Sequence, residues 1–224
     1  MITYSGRRVF PEWDARHTGE MPSLNDICRS LSRIIRFAGQ TEDIVTVATH
    51  SIIVSKLVDP RFTLAALLHD SIECVVGDRI GTWKTDHESD IEDALYRRIC
   101  ESVILESDVV PGDMKNHPHI TYSLFSDDAM RAVEKADYAA VCCEAVAAGH
   151  SDRSAFTRQP RAFVETAEYM IEAHSQVMFE DIEQDLSEYI TSALNELVEQ
   201  ISEDERRATL DGATMFTQPI EADR

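Results

Sequence analysis

In the stretch "TLAALLHDSIE", residues 63–73, an apolar run gives way to His69, Asp70 and, three residues further on, Glu73. Two other segments carry the same anomaly. His50 lies inside "IVTVATHSIIVSKLV", with Val47 three residues before it and Ile53 and Val54 three and four after, so helical spacing turns its ring inward. Asp137 in "MRAVEKADYAAV" shares a helical stripe with Met130, Val133, Ala140 and Val141. A carboxylate on such a stripe costs several kcal/mol unless something compensates its charge. Two imidazoles and two carboxylates are good ligands for a first-row divalent ion, and one cation would compensate all of them. Taken singly, each residue has a plainer reading: an interior histidine is more often a hydrogen-bonded core residue, and a stripe aspartate is most often paired with Arg or Lys. The three features together favour a metal.

The elements that must bring these residues together are helices. Apolar residues recur at three- and four-residue spacing almost throughout, with few alternating runs that would indicate strands. The pattern predicts an all-α bundle of about seven helices, over residues 23–36, 43–58, 60–76, 86–105, 126–148, 159–175 and 179–205. Asp59 and Pro60 suit the start of the third helix, and Gly149 can end the fifth. In the third helix Leu64, Leu67, Leu68, Ile72, Val75 and Val76 form the apolar side. His69 and Glu73 share one edge, with Asp70 about 100° round from His69, so one point near that edge is within reach of all three. Two segments read as irregular loops: "GDRIGTWK" at 77–84 and "PGDMKNHPHITYS" at 111–123. The expected organisation is one domain over 1–224, with an arm at 1–22, a core at 23–150 and C-terminal helices at 151–224.

Composition narrows the function. A chain of 224 residues with 43% hydrophobic content can bury a sizeable core, and its formal net charge of -20 disfavours nucleic acid and anionic membranes as partners. Five cysteines without C-x-x-C spacing suggest a reducing, cytoplasmic setting. No signal-peptide pattern and no run of ~20 apolar residues is present. The phosphate-loop, dinucleotide and esterase motifs are missing as well. His117 and His119 read as a solvated loop, and Cys142 and Cys143 as packing groups. In the last helix Phe179, Ile182, Leu186, Tyr189, Ala193, Leu197 and Ile201 form a stripe that either docks on the domain or joins a second copy. The second destination is favoured, so a homo-oligomer is expected.

The pattern His50, His69-Asp70, Asp137 resembles that of the HD-domain metal-dependent phosphohydrolases, an all-helical superfamily. The segments "LSRIIRFAGQT", "VATHSIIVSKLV", "AALLHDSIECVVGD" and "VEKADYAAVCCEAVAAG" are similar to the compact branch that holds bacterial 5′-deoxynucleotidases and phage-encoded phosphohydrolases. The resemblance runs from about residue 24 to 150. It implies that His50, His69, Asp70 and Asp137 bind one divalent ion (Mn, Co, Zn, Ni, Fe or Mg). It further implies that Glu73 handles a proton of water or leaving group, and that Arg36 and Phe37 lie near phosphate and sugar. Asp78 would sit near the deoxyribose and Lys84 would close a loop toward phosphate. This chain departs from the pattern between Asp78 and Lys84, where Arg79, Ile80, Gly81, Thr82 and Trp83 replace the usual prolines, and at Gln40, where many phage relatives have histidine. Cys74 after the His-Asp motif replaces the second acid found in guanosine-tetraphosphate hydrolases of the superfamily and argues against that activity.

The chemistry so implied is phosphohydrolysis of a small deoxynucleotide, most simply a 5′-monophosphate. A divalent ion activates water and polarises a phosphoryl oxygen, while positioned positive charge gathers the equatorial oxygens. Arg36 offers a planar fork for two phosphate oxygens. Glu73 would act as general acid or base, or would hydrogen-bond His69 from behind. Asp78 would accept from the sugar 3′-hydroxyl or cap a turn, and Trp83 and Phe37 would stack on a base or simply pack. The competing expectations are removal of triphosphate from a dNTP such as dATP, and a non-catalytic nucleotide-binding or acidic mimic protein. A phage-encoded relative would work in the host cytoplasm.

Overall fold

The computed structural model of the chain describes residues 2–9, 20–77, 86–149 and 159–215. Nine α-helices and two short 3₁₀ segments follow one another along these residues. They are α1 (Leu24–Leu31), a turn at Arg36–Gly39, α2 (Val47–Leu57), a turn at Pro60–Phe62, α3 (Thr63–Leu68), α4 (Glu73–Val76) and α5 (Asp86–Glu106). After these come α6 (Pro118–Phe125), α7 (Asp127–Ala147), α8 (Arg161–Ser175) and α9 (Phe179–Met215). Among the described residues no strand forms, only the isolated bridges Ile2–Arg8 and Ile35–Thr46, so the architecture is all-α.

Helix starts are set by side chains that accept otherwise unpaired backbone N–H groups. Ser23 and Asp26 form a reciprocal capping box on α1, Thr46 Oγ1 accepts from Thr49 N–H at 3.1 Å on α2, and Ser126 Oγ accepts from Ala129 N–H at 3.1 Å on α7. Gly149, at φ +73°, follows the end of α7 as its sequence position predicts, and a Cβ there would fall 2.7 Å from Glu42 Cδ. At the centre is α2. Its residues from Val47 to Ser55 are all buried, with α3, α7, α8 and α9 packed around it. Polar groups on such a helix have no solvent to fall back on and must find partners inside.

Residues 2–9 of the arm lie on the helices: Asp26 accepts from Ser5 N–H at 2.8 Å and Ser5 Oγ–H at 2.6 Å, and Arg7 pairs with Glu106 at 2.7 Å. The C-terminal stripe docks on the chain's own core. Ile182, Leu186, Ala193, Leu197 and Ile201 are buried where α9 packs on α1, α2 and α3. Of the two destinations read from the sequence, the stripe takes the first and is covered within one copy. No described helix is long and apolar enough to cross a membrane.

The helix expected from 43 begins at Val47 and the one expected to end at 205 runs to Met215; three further differences from the sequence reading have identifiable reasons. Helix α1 stops at Leu31, before the predicted 36, because the chain then leaves to pair in extended form: Arg36 N–H donates to Val45 O at 2.9 Å and Val47 N–H to Ile34 O at 3.0 Å. The helix expected over 60–76 is broken. Past Leu68 the backbone tightens to i→i+3 bonding, with Ser71 N–H on Leu68 O and Glu73 N–H on Asp70 O, both at 2.9 Å. The supposed loop at 111–123 contains the start of α6, with His117 as N-cap, its Nδ1 accepting from His119 N–H at 3.2 Å, and Pro118 in the first turn.

Candidate metal centre

Three elements meet beside α2. Helix α2 contributes His50, the break between α3 and α4 contributes His69 and Asp70, and α7 contributes Asp137. His69 and Asp70 are consecutive, yet their ligand atoms lie close together at this break. His50 Nε2 lies 3.0 Å from Asp137 Oδ1 and 3.6 Å from Asp70 Oδ2, and His69 Nε2 lies 3.2 Å from Asp70 Oδ2. Ligand atoms of His50, His69 and Asp137 all fall within 4.8 Å of one another. Around a tetrahedral or octahedral ion with bonds of about 2.1 Å, neighbouring ligand atoms sit about 3.0–3.4 Å apart and opposite ones about 4.2 Å. The trio His50, His69 and Asp137 can hold a metal ion, and Asp70 Oδ2 lies beside the Nε2 atoms of both histidines.

Both imidazoles are oriented for this. His69 Nδ1–H donates to Ala66 O at 2.7 Å, and His50 Nδ1–H donates to Glu144 Oε1 at 2.6 Å. Each ring therefore turns Nε2 toward the cluster, and neither buried Nε2 has a hydrogen-bond partner of its own. Histidine ligands are set in this way by a bond on the far nitrogen.

The charges are strongly coupled. Burial and the Arg36 guanidinium oppose a charged His50, but Glu144 and Asp137 outweigh them and push its pKa up to about 9. Burial also opposes ionisation of Asp70, yet His69, His50 and Arg36 hold its carboxyl well below the usual range. Asp137 and Glu144 are lowered likewise against their burial, the first by His50 and His69 and the second by His50 and Arg36. Exposure is graded: His50 and Glu144 are at 0%, Asp70 at 20% and Asp137 at 41%, so the cluster is closed behind α2 and open past Asp137.

Arg36 reaches the same centre, with Nη1 3.5 Å from Asp70 Oδ2 and Nε 3.4 Å from Glu144 Oε2. Its turn is unusual. Phe37 and Ala38 have φ of 54° and 50°, and Gly39 has φ of 70°, three successive left-handed residues of which two carry side chains. Phe37 is half-buried, its ring centroid 5.9 Å from the Arg36 guanidinium carbon. Glu73, at the start of α4, lines a pocket of about 180 Å³ together with His69, Asp70, Glu92, Asp93 and Tyr96. Two larger hollows, one between the Pro60 turn and α9 and one under the arm, share no residue with the metal cluster. Asp78, Trp83 and Lys84 lie outside the described residues. His117 and His119 stand apart, their rings 5.0 Å from each other and His117 paired with Glu205 at 3.3 Å.

Glu144 is the member that sequence reading passes over. It sits in "CCEAVAAG", where a single acid among small apolar residues looks like a surface position. The available signal was its spacing: seven residues, two helical turns, after Asp137, which puts both on one face of α7.

No family model matches the chain. A 76-residue stretch is 37% identical to an Escherichia coli (strain K12) protein named uncharacterized protein YfdR, covering 34% of this chain. The matched stretch spans 41% of that relative's length, and its name carries no activity.

Proposed function

We propose that the protein is a divalent-metal-dependent phosphohydrolase of small deoxynucleotides, most simply a 5′-deoxynucleotidase that converts a dNMP to deoxynucleoside and phosphate. The single observation that carries this reading is the convergence of His50, His69, Asp70 and Asp137, with both imidazoles tied back at Nδ1 so that Nε2 faces the cluster. The motif resemblance to HD-domain phosphohydrolases supplies the substrate class. A bound divalent cation supplies Lewis acidity, activating water and withdrawing charge from a phosphoryl oxygen.

The rest is the work of side chains. His50, His69, Asp70 and Asp137 hold the cation. Arg36, at 13% exposure beside Asp70, binds the phosphate oxygens and stabilises the charge that spreads over them as the P–O ester bond breaks. Glu73 takes the proton lost by the attacking water and returns it to the departing 5′-oxygen, so the reaction balances as ester plus water to alcohol plus phosphate. The acidic lining of the adjoining pocket, with Glu73, Glu92 and Asp93, suits a hydroxyl-bearing sugar better than further phosphates and favours the monophosphate over a dNTP.

The test is incubation of purified protein with Mn²⁺ or Co²⁺ and each dNMP and dNTP, with products identified. Orthophosphate released from dNMPs supports the reading, and intact tripolyphosphate from a dNTP moves it to a triphosphohydrolase. Mn²⁺ binding with no turnover of any nucleotide refutes the enzyme and leaves a binding protein.

A further inference from the structure

We infer that Glu144 is a positioning residue that locks the metal-holding and the anion-binding halves of the site into one unit. The inference rests on the metal reading and on Arg36 as the anion-binding group, both proposed above, and not on the substrate being a nucleotide; wild type that binds Mn²⁺ but no phosphate overturns it. Glu144 is fully buried, on α7, and an interior carboxylate persists only when specific partners compensate it. Its two oxygens face different groups. Oε1 accepts from His50 Nδ1–H at 2.6 Å, while Oε2 lies 3.4 Å from Arg36 Nε. One carboxylate thus sits directly behind a metal-binding imidazole and directly behind the guanidinium on the same centre.

Three consequences follow. A carboxylate on Nδ1 fixes the tautomer and ring plane of His50 and raises the basicity of Nε2, which tightens a bound cation. Glu144 Oε2, 3.4 Å from Nε, and Asp70 Oδ2, 3.5 Å from Nη1, hold the Arg36 guanidinium at this place by charge, as ion-pair contacts without hydrogen-bond geometry at Nε. The left-handed run at Phe37–Gly39 delivers Arg36 to this position from a backbone that is costly for two of its residues, which is reasonable only if the guanidinium's location is worth holding. Because α7 also bears Asp137, displacement of Glu144 disturbs a ligand, an orienting contact and the arginine at once.

The test uses the full-length protein stripped of metal, titrated with Mn²⁺ followed by electron paramagnetic resonance of the free ion, and then, when Mn²⁺-loaded, titrated with inorganic phosphate. In Glu144→Ala, Mn²⁺ affinity falls about 10- to 100-fold relative to wild type. In Glu144→Gln the amide oxygen still accepts from His50, so Mn²⁺ affinity changes less than in the alanine variant. Its neutral amide no longer balances Arg36, and phosphate affinity drops about tenfold. Glu144→Asp keeps the charge and binds phosphate more tightly than Glu144→Gln. This split between the two ligands is the signature, since general damage to the fold would weaken both together. If Glu144→Ala does not fold, the Gln and Asp variants carry the test by their phosphate affinities. Wild type that binds Mn²⁺ while the variants bind both ligands like wild type overturns the role of Glu144 alone. Wild type that binds no Mn²⁺ overturns the metal reading and this inference with it.

Discussion

His50 on α2 and His174 on α8 are both buried, at 0% and 4% exposure, on helices that pack against each other, yet their surroundings differ in kind. His174 has one partner for each nitrogen: Thr49 Oγ1 at 2.9 Å from Nδ1 and Asp185 Oδ2 at 3.3 Å from Nε2. Burial pulls its pKa below the usual histidine value despite Asp185. His50 has only its Nδ1 bonded, and its Nε2 looks onto two carboxylates and the neighbourhood of a second imidazole, with ring centroids 5.2 Å apart. The first is a core histidine whose hydrogen bonds close on themselves. At the second, acceptor atoms crowd together at spacings that suit a shared cation. What separates structure from chemistry is thus the number of acceptors aimed at one point, since the two residues are equally buried.

Mutations can break or sharpen that contrast. The largest effect is expected for Asp137→Ala, which removes Mn²⁺ binding and with it all turnover, read by calorimetric titration and phosphate release. Glu73→Gln should keep the metal and lower kcat by about 10²- to 10⁴-fold. Lost Mn²⁺ binding in that variant would make Glu73 a ligand instead of a proton carrier. His174→Ala should leave Mn²⁺ affinity and stoichiometry unchanged and cost about 1–3 kcal/mol of stability in urea unfolding, as the partners of a buried polar group are left unpaired. A loss of metal there would erase the distinction between the two histidines.

The smallest effect concerns Asp26, a buried carboxylate whose partners are all ordinary donors. Burial works against its charge, but hydrogen bonds from Ser5 and Ser23 bring its pKa down to about 2. A depressed folded-state pKa means its contribution is fully present above the unfolded value of about 4 and is lost as pH falls through about 2. Asp26→Ala, which also loses the Asp26 half of the capping box on α1 while Ser23 stays as N-cap, should therefore be less stable than wild type by about 1 kcal/mol at pH 7, with the gap in Tm closing between pH 4 and 2. A gap that is constant with pH would mean the carboxylate's charge is irrelevant.

The helical class and the buried His50 were legible because helical periodicity marks a polar residue on an apolar stripe directly, whereas the stripe read for Asp137 is half open, with Asp137 at 41% and Met130 at 45% exposure. The break after Leu68 was not, because an apolar run such as "TLAALL" has no breaker in it. The i→i+3 turn that follows carries no Gly or Pro to announce it. Helix α6 was hidden by Pro118, which reads as a loop residue but here opens a helix behind the His117 cap. The stripe of α9 was read correctly as apolar, while its destination depended on which faces of α1, α2 and α3 remained to be covered, a question of packing that spacing alone does not answer. Glu144 escaped for a related reason: an isolated acid acquires meaning only when His50 and Arg36 are brought to it from segments about a hundred residues away in sequence.

The most direct measurement is anomalous diffraction from crystals grown with Mn²⁺. A single peak about 2.2 Å from His50 Nε2, His69 Nε2 and carboxylate oxygens of Asp70 and Asp137 is the expected result. Clean protein density at these four residues with no peak, or a peak bound elsewhere on the chain, would contradict the assignment of this cluster as a metal centre.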